Sequence, residues 1–312
     1  MYFKFSIIMC TYNGGTRISK VIDSIVNQAK YEEYVKEFII VDNNSNDETV
    51  DIIKENEKKS NKIICINEKK QGLAYARKRG VQNSKGEWII FIDDDNILND
   101  NWLENAYKYI CNNKKVGAYN GAVVSYFTEE INKDDKLILE NVLQGLACTH
   151  VSINEIDFNE KRHPYRIPFG AGLVVKGDLL RDLIEDGWIR STGRSKYDLS
   201  SCEDTEICLY IKKRGFKWGY NPTMIIFHMI SHNRLEKNYL NRLWLGFADG
   251  NYKILRSSRY GIVKVILYLV LLYIRYLRDF IKVYFKPNYK VKYELNSIYR
   301  KRYVEDIRKN IR

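Results

Sequence analysis

No C-x-x-C pair occurs among the six cysteines, Cys10, Cys65, Cys111, Cys148, Cys202 and Cys208, so neither a zinc knuckle nor a dithiol redox centre is written into this chain. The thiols read as reduced and mostly buried. With four prolines and 18 glycines in 312 residues, collagen, low-complexity linkers and wholesale disorder are excluded. A bilayer-spanning run is missing too: residues 265–274 form an uncharged stretch of ten, half of the ~20 that a crossing helix needs. The first ten residues hold one positive charge, Lys4, followed by about five apolar residues, too few for a secretory signal. The expectation is a folded cytoplasmic protein with one large core or two fused ones.

Charge is balanced over most of the length and unbalanced at its end. Lys and Arg number 51 and Asp and Glu 39, and residues 251–312 hold 16 of the former and 4 of the latter. Residues 1–250 therefore carry 35 of each sign, and the whole net charge of +12 lies in the last fifth. This distribution speaks against a nucleic-acid cleft spread over the main fold, so no nucleic-acid partner is expected. It speaks for a basic appendage that meets an anionic surface.

The first half alternates short runs rich in Ile, Val and Phe (3–10, 38–41, 62–66 and 88–92) with stretches of helical spacing (17–28, 47–58 and 72–82). Such alternation predicts β-α-β units and a mostly parallel sheet flanked by helices. Beyond residue 92 the pattern loosens. Residues 116–127 and 171–175 read as strands, 136–148 and 203–214 as helices, 151–168 as a polar loop, and 217–220 and 224–228 as further strands. From 239 onward the chain is helix-like, aromatic and basic. The fold class is α/β, with no internal repeat.

In a parallel α/β sheet, ligands sit outside the carboxyl ends of the strands. The polar groups falling there are Thr11-Tyr12-Asn13-Gly14-Gly15, Asp42-Asn43-Asn44-Ser45 and Asp93-Asp94-Asp95-Asn96. Three consecutive aspartates repel one another when ionised, so a cation is their natural partner. A hard divalent ion such as Mg²⁺ or Mn²⁺ suits these oxygens and commonly bridges them to substrate phosphates. The plainer alternative is an acidic turn that caps the next helix.

At this point a resemblance emerges. Ser6–Asn13, Ile40–Asp47, Ala76–Gly80 leading into Phe91–Asp95, Phe169–Gly172, Cys202–Glu206 and Lys213–Lys217 together resemble family 2 of the sugar-nucleotide glycosyltransferases. The likeness covers roughly residues 3–245. Each piece alone is weak, but six in the family's order are specific. The resemblance implies a GT-A, Rossmann-like fold and an inverting transfer from a nucleotide-diphosphate sugar, with a UDP-sugar foremost. It also implies site roles. Thr11 and Asn13 line the nucleotide pocket, Asp42 accepts from the uracil imide, and Arg77 lies against base or diphosphate. Asp93 meets the ribose or the metal, Asp94 belongs to the donor site, Asp95 holds Mn²⁺ or Mg²⁺, His228 stands on the metal or the diphosphate, and Asp204 is the general base that deprotonates the acceptor hydroxyl. The family often has a small residue in the middle of its D-x-D, where this chain has Asp94. Each role has a bland competitor: a turn for Asp42, a solvated helix face for Arg77, a helix N-cap for Glu203-Asp204, and simple packing for His228.

The domains expected are a catalytic domain over 1–245 and a basic helical extension over 246–312. At 100° per residue, Lys264, Arg275, Arg278, Lys282 and Lys286 fall in one stripe roughly 80° wide, with Leu, Ile, Val, Tyr and Phe around it. That is the pattern of a helix lying in a membrane interface; the alternative is a packed helix with a basic outer edge. The expectation is a peripheral enzyme at the inner face of a membrane, acting on a glycan or lipid-linked glycan precursor. Rival readings are a sugar nucleotidyltransferase on the same scaffold and a non-catalytic membrane-surface module.

Overall fold

The computed structural model describes residues 3–189, 202–257 and 261–311. The chain divides into two compact units. One comprises Met1–Tyr126, Ala147–Ile189 and Glu203–Ile230, and the other includes Phe127–Leu146 and the chain from Ser231 onward.

The first unit is built on one sheet of eight strands: β1 (Phe5–Thr11), β2 (Val35–Asp42), β3 (Ile63–Asn67), β4 (Trp88–Asp93), β5 (Asn96–Leu98), β6 (Val116–Tyr126), β7 (Leu173–Lys176) and β8 (Lys217–Met229). Their order is β3-β2-β1-β4-β7-β6-β8-β5. Strands β1 to β4 pair in parallel, as do β6 and β8, whereas β7 and β5 run antiparallel to their neighbours. The sheet is therefore mostly parallel, as the alternating sequence pattern predicts. Its helices are α1 (Ile18–Val26), α2 (Tyr31–Tyr34), α3 (Thr49–Glu57), α4 (Leu73–Asn83), α5 (Trp102–Asn112), α7 (Gly177–Glu185) and α8 (Glu203–Lys213). Helix α6 (Lys133–Val142) lies in the second unit.

The central strands are apolar on both faces, so they read as continuous hydrophobic runs. Ile8, Ile39, Val41, Ile89 and Phe91 pack with Ala76 and Val81 of α4, Leu180 of α7 and Ile207 of α8. Their alternates Ile7, Met9, Ile40 and Ile90 are equally buried. Burial on both faces forces the polar residues of each strand to its ends, and the register fixes where they meet. Thr11 pairs with Asp42, Asp42 with Asn67, and Cys10 with Asp93.

Two sequence expectations are corrected here. The strands read at 217–220 and 224–228 are one strand, β8, with a register shift opposite Gly121 to Val123. It spans Pro222, which has no N–H for the ladder. Helices α5 and α7 and the short β5 were not anticipated. In α5 the stripe Trp102, Leu103, Ala106 and Ile110 is buried, but its apolar residues are separated by polar and aromatic ones that blur the helical period.

The second unit is helical: α6, α9 (Lys237–Ser257), α10 (Gly261–Phe285) and α11 (Lys290–Ile311). Tyr303 is fully buried between Tyr252 and Tyr268, with edge-on ring contacts at 5.6 and 5.3 Å. Asp279, also fully buried, accepts from Arg278, Tyr289 and Asn296 at 3.0, 3.3 and 2.8 Å. A buried carboxylate with this many donors is tolerable where a bare one is not.

Candidate active site

The strand ends form one polar surface. Asp42 is 2% exposed; its carboxylate accepts from the Ser45 backbone N–H at 3.1 Å and from Asn67 Nδ2 at 2.9 Å. Asn43 crosses to the loop before α4, donating to the carbonyls of Glu68 and Lys70 and accepting from Gly72 N–H. Asn13 sits in the left-handed region with φ 50°, a conformation Asn tolerates better than most residues. Its side-chain oxygen accepts from Asn46 N–H at 3.0 Å. The first two strand-end loops are thereby tied together.

The three aspartates meet three different cationic groups. Asp93 Oδ1 accepts from Arg77 Nη2 at 3.2 Å. Asp94 takes a two-pronged grip from Arg17, at 3.0 and 2.8 Å, and a hydrogen bond from Thr11 Oγ1 at 2.6 Å. Burial, with the charge of Asp95 beside it, raises the Asp94 carboxyl above its ordinary range against the pull of Arg17. Gly14 makes this packing possible: a Cβ there would lie 2.4 Å from Thr11 Oγ1 and 2.6 Å from Asp94 Oδ2. Asp95 Oδ2 faces His228 Nε2 at 3.3 Å, since β5 sets Asn96 opposite His228 on β8. Burial alone lowers the His228 pKa, but the Asp95 charge and hydrogen bond outweigh it and lift the group to about 10. Cys148 Sγ lies 3.7 Å from the other ring nitrogen.

The second carboxylate motif opens α8. Arg77 is 3% exposed and reaches Glu203 Oε1 with Nη1 at 3.3 Å while holding Asp93 with Nη2. Burial opposes the Arg77 charge, but Asp93 and Glu203 together raise its pKa. Asp204 is half-buried; it accepts from its helix neighbour Thr205 N–H at 2.7 Å and from Gly170 N–H at 2.9 Å. Gly170 abuts Arg77 as well, since a Cβ there would stand 2.6 Å from Nη2. Asp93, Arg77, Gly170, Glu203 and Asp204 thus form one contiguous cluster at the carboxyl ends of the strands.

The helix face of Arg77 is buried rather than solvated, because its two carboxylates come from distant parts of the chain. Sequence reasoning gave no site role to Arg17, Asn43 or Cys148. Arg17 carried a faint signal, a cation four residues after Asn13, whose carbonyl it also binds at 3.1 Å.

The model of glycosyl transferase family 2 matches residues 6–173. The chain belongs to this family. The glycosyltransferase is 23% identical over 251 residues to a glucosyl-dolichyl phosphate glucuronosyltransferase of Haloferax volcanii, covering 78% of this chain and 76% of that one. It is 26% identical over 300 residues to a dolichyl N-acetyl-glucosaminyl phosphate diacetamido-dideoxy-glucuronosyltransferase of Methanococcus voltae, covering 89% and 88%. In fold it resembles a mannosyltransferase of Pyrobaculum calidifontis solved with GDP-Man and Mn²⁺, with a TM-score of 0.65 at 14% identity over 98% of this chain and 88% of that one. The GT-A-type α/β architecture and the glycosyltransferase class read from the sequence are both borne out.

Asp95 and His228 suit a divalent ion by their chemistry. One carboxylate and one imidazole face each other at 3.3 Å, and Mn²⁺ accepts an imidazole beside oxygens. Among the described residues no group of three or more His, Cys, Asp or Glu side chains could hold a metal by itself. A donor diphosphate is the natural source of the remaining oxygens.

Proposed function

We propose that this glycosyltransferase moves a sugar, with inversion, from a UDP-sugar to a hydroxyl of a lipid-linked glycan precursor at an anionic membrane surface. The observation carrying this reading is the contiguous Asp93–Arg77–Gly170–Asp204 cluster, which brings the donor-side carboxylate and the candidate base together around one buried guanidinium. Thr11, Asn13 and Asp42 take the nucleoside. Asp93 and Asp94 line the donor site, Asp94 fixed by Arg17.

In the transfer, Asp204 takes the acceptor hydroxyl proton. The freed oxygen bonds to the anomeric carbon from the face opposite the diphosphate, and the bond to the diphosphate oxygen breaks with its electron pair leaving on that oxygen. Asp204 already accepts from two backbone N–H groups, which hold the carboxylate in place while its remaining lone pairs stay available. Mn²⁺ or Mg²⁺ held by Asp95 and His228 would supply charge to offset the departing diphosphate.

Support for the acceptor comes from the relatives, whose names place their substrates on dolichyl phosphates. Support for membrane association comes from α10. Its buried line, Gly261, Val265, Leu272 and Asp279, faces its own unit. On the rest of its surface Leu267, Ile274, Leu277 and Phe280 are 57–60% exposed. Lys264, Arg275 and Lys282 border them, all exposed. This exposed apolar and basic surface is the ground for proposing that the residue 246–312 extension lies in the interface; among the described residues no helix is long and apolar enough to cross a membrane.

Calorimetry with uridine diphosphate and guanosine diphosphate, each with Mn²⁺, tests the donor. Uridine diphosphate should bind more tightly, and a preference for guanosine diphosphate overturns the uridine assignment. With UDP-sugars and lipid-linked acceptors, Asp204→Asn should lower turnover by ~10²–10⁴ and leave uridine diphosphate affinity near wild type. Release of pyrophosphate instead of uridine diphosphate would identify a nucleotidyltransferase.

A further inference from the structure

A cavity of about 500 Å³ lies away from the aspartate cluster, between the 161–166 loop, the end of α8 and the start of β8. Its charged rim is entirely cationic: Lys161, Arg162, Arg166, Lys212 and Lys217 line it, with no acidic residue among the lining groups. Among the described residues none of these five cations is in an ion pair. All five side chains belong to exposed residues, and Lys212 rests on the ring of Trp218, Nζ at 4.8 Å from its centroid. Five like charges around one cavity repel one another, and an anion removes that cost.

His163 adds an independent observation. It lines the same cavity and is 6% exposed. Its Nδ1 accepts from Tyr165 N–H at 3.1 Å, so the neutral ring carries its proton on Nε2. That Nε2 has no hydrogen-bond partner among the described residues. Edge-on contacts with Phe169 at 4.9 Å and Tyr220 at 5.4 Å fix the ring, and burial lowers its pKa to about 3, which keeps it neutral. A buried donor without an acceptor is expensive, and side-chain acceptors are what the cavity lacks.

The cavity lies at the start of β8, and the 161–170 segment links it to the proposed base. The segment from 161 to 170 runs beside α8. Gly170 N–H donates to Asp204 at the start of the helix, Cys208 Sγ contacts the Pro168 carbonyl at 3.6 Å, and Arg166 shares the cavity with Lys212 near its end. Eight residues separate Asp204 from Lys212, about 12 Å along a helix axis at 1.5 Å per residue. An acceptor that reaches both groups has to span about that distance between its hydroxyl and its anionic group.

We propose that this cavity binds the phosphate of the acceptor, so that the enzyme recognises an acceptor through its phosphoryl group as well as its sugar. The proposal rests on the glycosyltransferase reading above, which it deepens by giving the acceptor a charge requirement. The ligand is a phosphomonoester or phosphodiester; Lys and Arg supply charge-assisted hydrogen bonds and His163 a neutral one.

The test uses the full chain and three probes below their micellar concentrations: octyl phosphate, octyl glucoside and inorganic phosphate. Binding is followed by calorimetry and, in parallel, so is that of uridine diphosphate with Mn²⁺. Octyl phosphate should bind, should weaken with salt, and should lose about tenfold or more in affinity in the exposed-residue variant Arg166→Gln/Lys212→Gln. The same variant should bind uridine diphosphate as wild type does, which shows that the fold and donor site are intact. Octyl phosphate binding that the double substitution leaves unchanged, or octyl glucoside binding as tightly, overturns the site. Inorganic phosphate binding as tightly as octyl phosphate overturns the acceptor assignment in favour of a free-anion site. If octyl phosphate behaves as expected while uridine diphosphate fails to bind wild type, the donor reading fails and the phosphate site stands. A His163→Phe substitution that weakens octyl phosphate without affecting uridine diphosphate places the Nε2 proton on the ligand; no weakening removes His163 from the site.

Discussion

Asp93, Asp94 and Asp95 follow one another in the chain, yet they face Arg77, Arg17 and His228 respectively. Only the third meets a group that exchanges a proton for a metal, so metal dependence should belong to Asp95. In an Asp95→Ala variant, uridine diphosphate affinity with Mn²⁺ should fall to the value that wild type shows in EDTA, and EDTA should change nothing further. Calorimetry that finds the variant still responsive to Mn²⁺ moves the ion to other residues. The strand-end aspartates were legible in the sequence because a doubly buried sheet leaves polar residues nowhere else to go. The cations that answer them were not. Arg17 lies 77 positions from Asp94 and Arg77 lies 126 from Glu203, and neither distance leaves a local pattern.

At the scale of elements, hydrophobic period found β1 to β4 and helices α1, α3 and α4 within a few residues, but not the one-turn α2. It failed where packing overrides local pattern, as at α5, α7 and the short β5. In the second unit, α9 and α11 meet through Arg302, which donates to Asp249 at 2.6 Å and stands 3.6 Å from Asp306. Burial first, then the neighbouring Asp249, raises Asp306 from its usual 3.8 to about 6. A carboxyl whose folded pKa exceeds its unfolded one penalises the fold at neutral pH. The penalty is relieved as pH falls through about 6 and is gone below the unfolded value. Asp306→Asn should therefore melt above wild type at pH 7.5, by on the order of 1 kcal/mol after solvent screening is discounted. The gap should shrink as pH falls through about 6 and close at about pH 3. Thermal melts at the two pH values decide it, and a constant gap assigns the effect to packing.

For the whole molecule, the +12 excess confined to residues 251–312 and the exposed apolar face of α10 point toward one surface. Full-length protein should float with vesicles containing anionic lipid, less so at high salt. Removing residues 251–312 would cut through α9, so point substitutions are the sounder test. Replacing Leu267, Ile274 and Leu277 by Asp should abolish flotation. Replacing Lys264, Arg275 and Lys282 by Gln should cost about 3 kcal/mol on anionic vesicles, roughly a hundredfold, and little on neutral ones. Flotation unaltered by either triple change would reject α10 as the anchor.

Arg77 is one cation shared by two carboxylates, one at the end of β4 and one at the head of α8. When a substrate engages Asp93, the guanidinium is freer to attend to Glu203, and the converse holds for anything that engages the head of α8. Two binding events that draw on the same charge are thermodynamically coupled, and such coupling is reciprocal: each ligand alters the affinity for the other by the same factor. The two substrates of this enzyme therefore need not bind as strangers: occupancy of one site tunes the affinity of the other through a single buried side chain.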